Sequence, residues 1–473
     1  MSVVLISTYD LGRQPFGLAS PAAWLREAGI EVVCVDLSRQ RLPQDAVRAA
    51  SAIGFFLPMH TATRLALPVI DRVRTLNPEA RLLAYGLYAP LNASLLNDRG
   101  VHDILDGEFE ARLLELVRLG STSTSTSTQH PALGTQHPAP STQHGARSAP
   151  ARSAPARSAP ARLQFKRPWR DGLPPLASYA ALQIGDQRVT AGYTEASRGC
   201  KHRCRHCPIV PVYNGTFRIV APGVVIEDVR AQVAAGARHI TFGDPDFFNG
   251  IRHAREVVER FGREFPGVTY DVTIKVEHLL KHADALPLLR ETGCAFVTSA
   301  VEALDERVLG FLDKGHTAAD FERAVGLCRA AELPISPTFV AFTPWTTIAS
   351  YLEFLHTIDR LELVGHVAPI QLAIRLLVTD KSRLLELDDV QRIVRPFDPV
   401  SLTYPWTHPD PRVDALHEAV SKIVGVRINA PRAETFERVW ETAHEHAGVP
   451  PPPRMPILSA RATVPYLTEP WYC

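Results

Sequence analysis

Cysteine is scarce in this sequence. Seven cysteines in 473 residues are too few for the disulfide framework of a small secreted protein. No stretch approaches the ~20 consecutive apolar residues that span a bilayer, and the N-terminal segment MSVVLISTYDLG lacks the basic region and long apolar region of a signal peptide. We therefore expect a cytoplasmic protein with no membrane partner.

An excess of charge of either sign is also missing. The 51 basic and 50 acidic residues leave a formal charge of +1, which gives no general argument for nucleic acid or for an anionic membrane surface. The one basic cluster, KHRCRH, is short and has no interleaved aromatic residues, so we predict no nucleic-acid partner. With 45% hydrophobic residues, the chain has enough apolar side chains for globular domains with buried cores.

Repeats rich in Ser, Thr, Ala and Pro divide the chain at a predicted flexible linker, 121–165. Before it, residues 1–120 alternate apolar runs at 3–7, 31–35, 53–57 and 81–85 with helical patterns such as 21–28 and 63–76. This alternation predicts an α/β domain with a Rossmann-like or flavodoxin-like parallel sheet. Its ligand would lie beyond the carboxyl ends of the strands, near 8–17, 57–61 and 86–90. The GxGxxG pattern of dinucleotide-binding domains does not follow the first run.

Longer strand and helix units follow the linker, over residues 166–380. The predicted strands are 193–197, 239–242, 270–275, 296–301, 335–342 and 366–373, and the predicted helices are 224–235, 251–261, 279–291, 318–331 and 348–361. Six such units predict a partial (β/α)6 barrel of the TIM type, with reactive groups at the carboxyl ends of the strands. Residues 381–473 form a predicted C-terminal extension.

Three cysteines, Cys200, Cys204 and Cys207, lie in one loop after the first barrel strand, in the stretch GCKHRCRHCPIV. A structural zinc site needs a fourth ligand, which His202 or His206 would have to supply within the same short loop. An iron-sulfur cluster also takes thiolates, normally four for a cubane. Three thiolates would leave one iron open to a substrate or cosubstrate.

This CxxxCxxC motif, placed after the first strand of a six-unit barrel, resembles the radical S-adenosylmethionine (SAM) superfamily over about residues 185–380. The resemblance implies a [4Fe-4S] cluster on Cys200, Cys204 and Cys207, with the fourth iron chelated by the amino and carboxylate groups of SAM. It also implies reductive cleavage of SAM to a 5′-deoxyadenosyl radical, and an electron donor such as flavodoxin or ferredoxin. The substrate stays unknown, because members of the superfamily act on very different molecules.

Further segments resemble SAM-contacting motifs of the superfamily: FGDPDFFNG at 242–250, VTIKVEHLL at 272–280 and VTSAVEALDERVLGFLDKGHT at 297–317. The contacts implied are Gly243, Asp244 and Asp246 for the SAM amino group, Lys275, Glu302 for the ribose or methionine end, Arg375 for the carboxylate and His206 near the adenine. A polar turn would explain the GDPD residues as well, and a surface ion pair would explain Arg375.

The first domain resembles the cobalamin-binding domain that precedes the barrel in one branch of the superfamily, over 10–38 and 85–111. The DxHxxG motif whose His ligates cobalt is absent, since Asp10 is followed by Leu11, Gly12 and Arg13. The domain therefore either binds cobalamin, as in a cobalamin-dependent methylase, or has kept the fold and lost the cofactor. A different class stays open as the alternative, a non-catalytic iron-sulfur or zinc protein with a binding or sensing role.

The C-terminal stretch VPYLTEPWYC resembles the tail of a radical SAM subgroup that continues Cys-Sec-Ala-Glu-Pro or Cys-Cys-Ala-Glu-Pro. This sequence stops at the first residue of that pair, Cys473. We expect the natural product to be a selenoprotein whose UGA codon is read here as a stop; a true terminus is the alternative.

Overall fold

The computed structural model describes residues 2–119, 164–427, 430–454 and 462–468. The first domain contains a five-stranded parallel sheet in the order β2-β1-β3-β4-β5. Its strands are β1 (Ser2–Ser7), β2 (Glu31–Asp36), β3 (Ala52–Phe56), β4 (Arg81–Tyr85) and β5 (Asp103–Leu105). This order is flavodoxin-like, with the topological switch between β1 and β3.

Helices cover both faces of this sheet: α1 (Phe16–Glu27), α2 (Gln44–Ala49), α3 (His60–Leu76), α4 (Ala93–Asp98) and α5 (Glu110–Leu119). Two separate apolar cores result, one on each face. Because the strands are buried on both sides, they read in the sequence as continuous apolar runs. The predicted Rossmann-like domain is thereby confirmed.

A seven-stranded sheet forms the second domain, in the order β13-β12-β11-β10-β7-β6-β14. Its members are β6 (Ala181–Ile184), β7 (Gln187–Thr194), β10 (His239–Phe242), β11 (Thr269–Thr273), β12 (Cys294–Glu302), β13 (Ile335–Phe339) and β14 (Tyr466–Leu467). The five strands β7 and β10 to β13 are parallel neighbours, whereas β6 and β14 pair antiparallel at one edge. A separate ribbon joins β8 (Ser197–Gly199) to β9 (Phe217–Ile219).

The helices of this half are α6 (Val210–Tyr213), α7 (Pro222–Ala234), α8 (Ile251–Glu264), α9 (Val276–Lys281), α10 (Leu286–Glu291), α11 (Glu306–Leu312), α12 (Ala318–Ala330), α13 (Ile348–Arg360), α14 (Asp388–Ile393), α15 (Pro411–Val426) and α16 (Arg432–Ala447). The apolar faces of α15 and α16 belong to the same core as the barrel helices. The curled parallel sheet covered by helices confirms the predicted partial barrel.

Two predicted elements of the barrel are wrong in detail. The sixth strand, predicted at 366–373, contains the 3-10 helix Pro369–Leu372, and beyond it only the parallel bridge between Phe342 and Arg375 extends the sheet. Pro369 has no N–H to donate to a sheet ladder. The helix predicted at 279–291 is divided into α9 and α10 by the 3-10 turn Ala283–Ala285.

A buried ion pair and a hydrogen bond from a second ion pair connect the two domains. Arg198 in β8 pairs with Glu110 at the start of α5, with Nη2 and Oε1 2.7 Å apart. Arg170 pairs through two bonds with Asp228 of α7 and donates a third to the side chain of Gln14 in the first domain. Such pairs fix the relative position of the groups they join, because an unpaired buried charge is costly.

Among the helices of the described residues, none has the length and apolar content needed to cross a bilayer.

Candidate functional site

The cysteine loop, which we define as residues 200–207, begins where β8 ends. Gly199 precedes it with a positive φ of 76°, and a Cβ at this position would lie 2.5 Å from the carbonyl oxygen of Thr216. A side chain there would meet both the backbone strain of the left-handed region and a clash with backbone. The direction in which the loop leaves β8 therefore depends on glycine.

Neighbouring elements hold the loop from several sides. Arg205 donates its backbone N–H to the Leu312 carbonyl at 2.9 Å and its guanidinium to the Phe311 carbonyl, also at 2.9 Å. A basic side chain stabilises the free carbonyls and the negative dipole end of a helix, here that of α11. Asn249 accepts from the Lys201 amide at 3.2 Å, and Arg383 donates to the Arg203 carbonyl at 2.8 Å.

The three thiols lie together in a largely buried environment. Cys200 and Cys204 are buried, and Cys207 is partly buried. Burial raises the pKa of the Cys200 thiol and raises the pKa of Cys207 to about 12. Deprotonated thiolates are the form that binds metal, so these three thiols need a compensating positive charge beside them.

Two buried lysines lie beside the thiols. Lys275 lies two residues after β11, directly before α9. Its Nζ is 3.9 Å from Cys204 Sγ and donates to the Lys314 carbonyl at 3.1 Å. The side chain of Lys314 is 3% exposed. Burial opposes its charge, but the Glu302 carboxylate and the thiols of Cys204 and Cys207 raise the pKa of Lys314. The pair of ammonium groups is suited to an anionic cluster of thiolates.

Glu302 ends β12 in an unusual backbone conformation. Its φ is 70° and the pairing of β12 with β13 shifts register at this point, a combination typical of sites where a strand redirects a side chain. The carboxylate contacts Lys314 Nζ at 3.2 Å and His206 Nε2 at 3.3 Å. Although burial opposes ionisation, Lys314 and His206 hold the pKa of Glu302 well below its usual range.

Gly243 and Asp244, after β10, pack against the entry to the cysteine loop. A Cβ at Gly243 would overlap the Tyr193 ring. Asp244 accepts from the Ala196 amide at 3.0 Å and from the Ser197 hydroxyl, and burial raises the pKa of its carboxyl to about 7. Its side chain therefore holds the turn between β7 and β8.

Asp246 has a different environment from Asp244. Its carboxylate is fully buried and faces two imidazoles: Oδ2 lies 2.6 Å from His278 Nδ1 and 3.6 Å from His202 Nε2. The other oxygen accepts from the Lys275 amide at 3.4 Å. His202 belongs to the cysteine loop and His278 to α9, so three elements converge on this carboxylate.

Arg375 lies away from these contacts. Its guanidinium donates to Asp414 at 2.7 Å and stacks on the Trp406 ring with 3.6 Å from Cζ to the ring centroid. Arg375 thus forms an ion pair with Asp414, which is the alternative to a contact with the SAM carboxylate.

A cavity of about 200 Å³ lies between the two domains. The first domain lines it from the carboxyl ends of β1, β3 and β4, at the edge predicted for a ligand. The barrel contributes both flanks of the cysteine loop and the turn after β10. The lining includes Asp10, Arg13, Phe56, Gly86, Tyr193, Glu195, Arg198, Gly199, Ile209 and Gly243.

Sequence reasoning missed Lys314, His278 and His316. His316 is buried beside Lys314, and neither ring nitrogen has a hydrogen-bond partner; burial lowers the pKa of His316 to about 4. His278 lies in the segment 272–280, and Lys314 and His316 lie in 297–317, where other residues were predicted to contact SAM. Only their closeness in the folded chain distinguishes these three from ordinary helix and loop residues.

Residues 194–356 match the Radical SAM superfamily. Among curated proteins, the chain is 27% identical over 149 residues to the hopanoid C-3 methylase of Methylococcus capsulatus. The aligned part is 30% of this chain and 28% of the methylase. It is 25% identical over 173 residues to the ribosomal protein uS12 methylthiotransferase RimO of Desulfosudis oleivorans, covering 34% and 39% of the two chains. The chain thus spans less than half the length of these relatives.

The solved structures that are similar over 94% of this chain include two different enzymes. One is the cobalamin-dependent SAM radical enzyme OxsB with aqua-cobalamin bound, with a TM-score of 0.69, 12% identity and 71% of that chain covered. The other is the radical SAM methyltransferase TsrM of Kitasatospora setae with cobalamin and a [4Fe-4S] cluster bound, with a TM-score of 0.60, 15% identity and 99% covered. At this identity the likeness establishes the fold. The predicted resemblance is confirmed: the chain carries a radical SAM domain, joined to a Rossmann-like domain in the fold of cobalamin-dependent radical SAM enzymes.

Proposed function

We propose that this chain is a radical SAM enzyme that holds a [4Fe-4S] cluster on Cys200, Cys204 and Cys207. The observation that carries the proposal is the group of three buried or partly buried thiols in one loop, with the side chains of Lys275 and Lys314 beside them. Three thiolates leave one iron of a cubane without a protein ligand, which is the coordination site that SAM requires.

The donor set fits this cluster better than a closed zinc site. A zinc site would need His202 or His206 as its fourth ligand. His206 contacts the carboxylate of Glu302, and His202 lies between the carboxylates of Asp246 and Glu277. In these contacts both imidazoles meet carboxylates and not the three thiols, so neither supplies the fourth ligand of a zinc site closed on Cys200, Cys204 and Cys207.

For SAM we propose contacts from residues at the strand ends around the loop. Glu302 presents a carboxylate to an ammonium or ribose hydroxyl, His206 lies beside it, and the backbone at Gly243 lines the same edge of the sheet. Lys275 lies beside Cys204 and stabilises the thiolates. We propose that it also meets the carboxylate of SAM. Asp244 acts by holding the turn at Ala196 instead, and the Arg375 guanidinium is occupied by Asp414.

The cluster and SAM, when bound, supply reductive cleavage of SAM to a 5′-deoxyadenosyl radical. The chain binds and orients both groups, surrounds the thiols with buried side chains, and keeps Glu302 ionised through Lys314. Excluding water protects a carbon radical. The electron would come from a low-potential cytoplasmic donor such as flavodoxin or ferredoxin.

We propose the interdomain cavity as the substrate site, because it extends to both flanks of the cysteine loop. Cobalamin would have to lie in the same place. The volume of about 200 Å³ is below the roughly 300–1,000 Å³ of typical small-molecule sites, and a corrinoid is larger than most ligands of such sites. Cobalamin would therefore need the two domains to move apart, and the proposed chemistry takes no step through it. Equilibrium dialysis with hydroxocobalamin tests whether the protein admits it.

Anaerobic reconstitution with iron and sulfide, followed by dithionite and SAM, tests the proposal. The wild type should acquire about four iron atoms per chain and form 5′-deoxyadenosine. The C200A/C204A/C207A variant should form no iron-sulfur cluster and no 5′-deoxyadenosine. Cys328→Ala is the matched control, because Cys328 is a free cysteine of α12 that is fully buried in the core; the substitution should leave both readouts unchanged. A wild-type cluster that never cleaves SAM would contradict the enzyme and favour the non-catalytic binding protein.

A further inference from the structure

Three side chains beside the cysteine loop form a compact cluster of metal-ligating atoms: His202, Asp246 and His278. One ligand atom from each lies within 4.8 Å of the others. The closest pair, Asp246 Oδ2 and His278 Nδ1, is 2.6 Å apart, and His202 Nε2 is 3.6 Å from the same oxygen. Ligands that share an ion at about 2.0–2.2 Å from each lie roughly 3.0–3.5 Å apart. The distance from His202 Nε2 to Asp246 Oδ2 is close to this range, whereas Asp246 and His278 would have to separate slightly on binding.

The same three atoms lack hydrogen-bond partners. His202 Nε2, Asp246 Oδ2 and His278 Nδ1 are each buried without a bond of acceptable geometry. The Asp246 side chain is fully buried and that of His278 is 7% exposed. Leaving buried polar groups without a hydrogen bond is costly, and three such atoms gathered within 4.8 Å of one another indicate a shared ligand.

The surroundings of His202 also match a metal site. Its second ring nitrogen, Nδ1, lies 3.5 Å from Glu277 Oε2. Metal-bound histidines usually direct the other nitrogen to a carboxylate, which fixes the tautomer and raises the basicity of the ligand. Glu277 precedes His278 in α9, so one helix supplies both a ligand and the outer carboxylate.

We propose that His202, Asp246 and His278 bind one divalent first-row transition metal ion, separate from the three thiols. Two imidazoles and one carboxylate suit Fe²⁺, Zn²⁺ or Co²⁺ and leave coordination positions open. The ion would join the cysteine loop to the turn after β10 and to α9. It therefore fixes the loop in place whether or not an iron-sulfur cluster is bound.

The test uses the full-length C200A/C204A/C207A protein titrated anaerobically with Co²⁺, whose absorption reports its ligands. Removing these thiols separates this site from the cluster, so failure here leaves the SAM-cleavage experiment untouched. We expect one Co²⁺ per chain with a visible spectrum free of thiolate charge transfer, displaced by Zn²⁺. In the same background, D246N and H278Q should abolish stoichiometric binding, whereas E277Q should weaken it about 10- to 100-fold, as loss of an outer carboxylate does.

His282→Gln is the matched control, because His282 lies one turn further along the chain and its ring centroid is 5.7 Å from that of His278; it should bind Co²⁺ like the parent. The proposal is overturned if the C200A/C204A/C207A parent binds no Co²⁺, or if binding persists in both D246N and H278Q. Should those variants fail to fold by circular dichroism, the melting temperature of the parent decides: Zn²⁺ must raise it, and an unchanged value overturns the site.

Discussion

The pair between Arg198 and Glu110 gives the sharpest test of how the two domains are joined. Its guanidinium and carboxylate meet through two bonds, 2.7 Å and 3.0 Å long. The Glu110 side chain is fully buried and that of Arg198 is 8% exposed. Arg198 also donates to Glu195 at 2.6 Å, and Ser20 donates to Glu110.

Arg198→Met removes the positive charge and leaves Glu110 buried with only the Ser20 hydroxyl. Breaking a buried pair in this way costs about 3–5 kcal/mol, which is roughly a 100- to 4,000-fold change in the folding equilibrium. In R198M/E110Q no unpaired carboxylate remains at position 110, so this double variant should be more stable than R198M. The coupling between the two positions should exceed about 1 kcal/mol.

Urea unfolding of the full-length variants, followed by tryptophan fluorescence and circular dichroism, measures these differences. Arg230→Met is the matched control: its ion pair with Glu264 has an equally short N–O distance of 2.6 Å but lies at the surface, where ion pairs contribute little. If R198M is as stable as R230M, or if the effects of R198M and E110Q simply add, the buried pair does not hold the domains together as we argue.

Three further predictions concern the cysteine loop. Gly199→Ala should lower the iron bound per chain while leaving the secondary structure intact, because its Cβ meets backbone; Gly326→Ala, with open space at its Cβ, should bind iron like the wild type. Lys314→Met removes a buried positive charge beside the thiols and Glu302, so redox titration followed by electron paramagnetic resonance should show a cluster that is harder to reduce, and an unchanged potential would contradict this. Burial raises the pKa of Asp244 to about 7 from 3.8. The protonated Asp244 carboxyl therefore contributes its full stability below pH 4, and the free energy of unfolding falls by about 4 kcal/mol as the pH rises to 7 and above. D244N should flatten the dependence of the unfolding free energy on pH over this range, and an unchanged slope would refute the assignment.

The first sheet could be predicted closely from the sequence. The runs at 31–35 and 81–85 coincide with β2 and β4 to within one residue, since parallel strands buried on both faces read as continuous apolar segments. β5 was missed because it has only three residues and begins with Asp103, whose charge is paired with Arg81 across the sheet.

The barrel shows where apolar pattern misleads. Residues 366–373 are rich in apolar side chains, but the proline at 369 favours a 3-10 turn and the segment is packed without joining the sheet. The hairpin of β6 and β7 was also missed, although Gly185, with a φ of 54°, and Asp186 form the two-residue turn that commonly joins antiparallel strands.

The site was predictable at the ends of strands and not elsewhere. Lys275 follows β11 and Glu302 ends β12, two parallel neighbours whose carboxyl ends lie at one edge, so topology brings these two residues together. Cys200 follows β8, which lies in the separate ribbon with β9, but its motif identified it. His278 and Lys314 join them from α9 and from the turn after α11. Their contribution depends on which way a helix or loop turns its side chains, which the linear pattern does not specify.

The position of Arg198 gives the first domain a role in the barrel's chemistry that does not require cobalamin. The residue lies two positions before Cys200, it pairs with Glu110 of the first domain, and it lines the interdomain cavity. The Arg198 side chain therefore contacts Glu110 of the first domain and the proposed substrate site, and the residue itself lies at the entry to the cysteine loop. Because a buried charge keeps its partner in place, any movement of α5 relative to the barrel would have to disturb β8 and hence the thiols. We infer that the Rossmann-like domain positions the cysteine loop and closes the cavity over it, so that a perturbation of domain docking should appear first as lost iron and only then as lost fold.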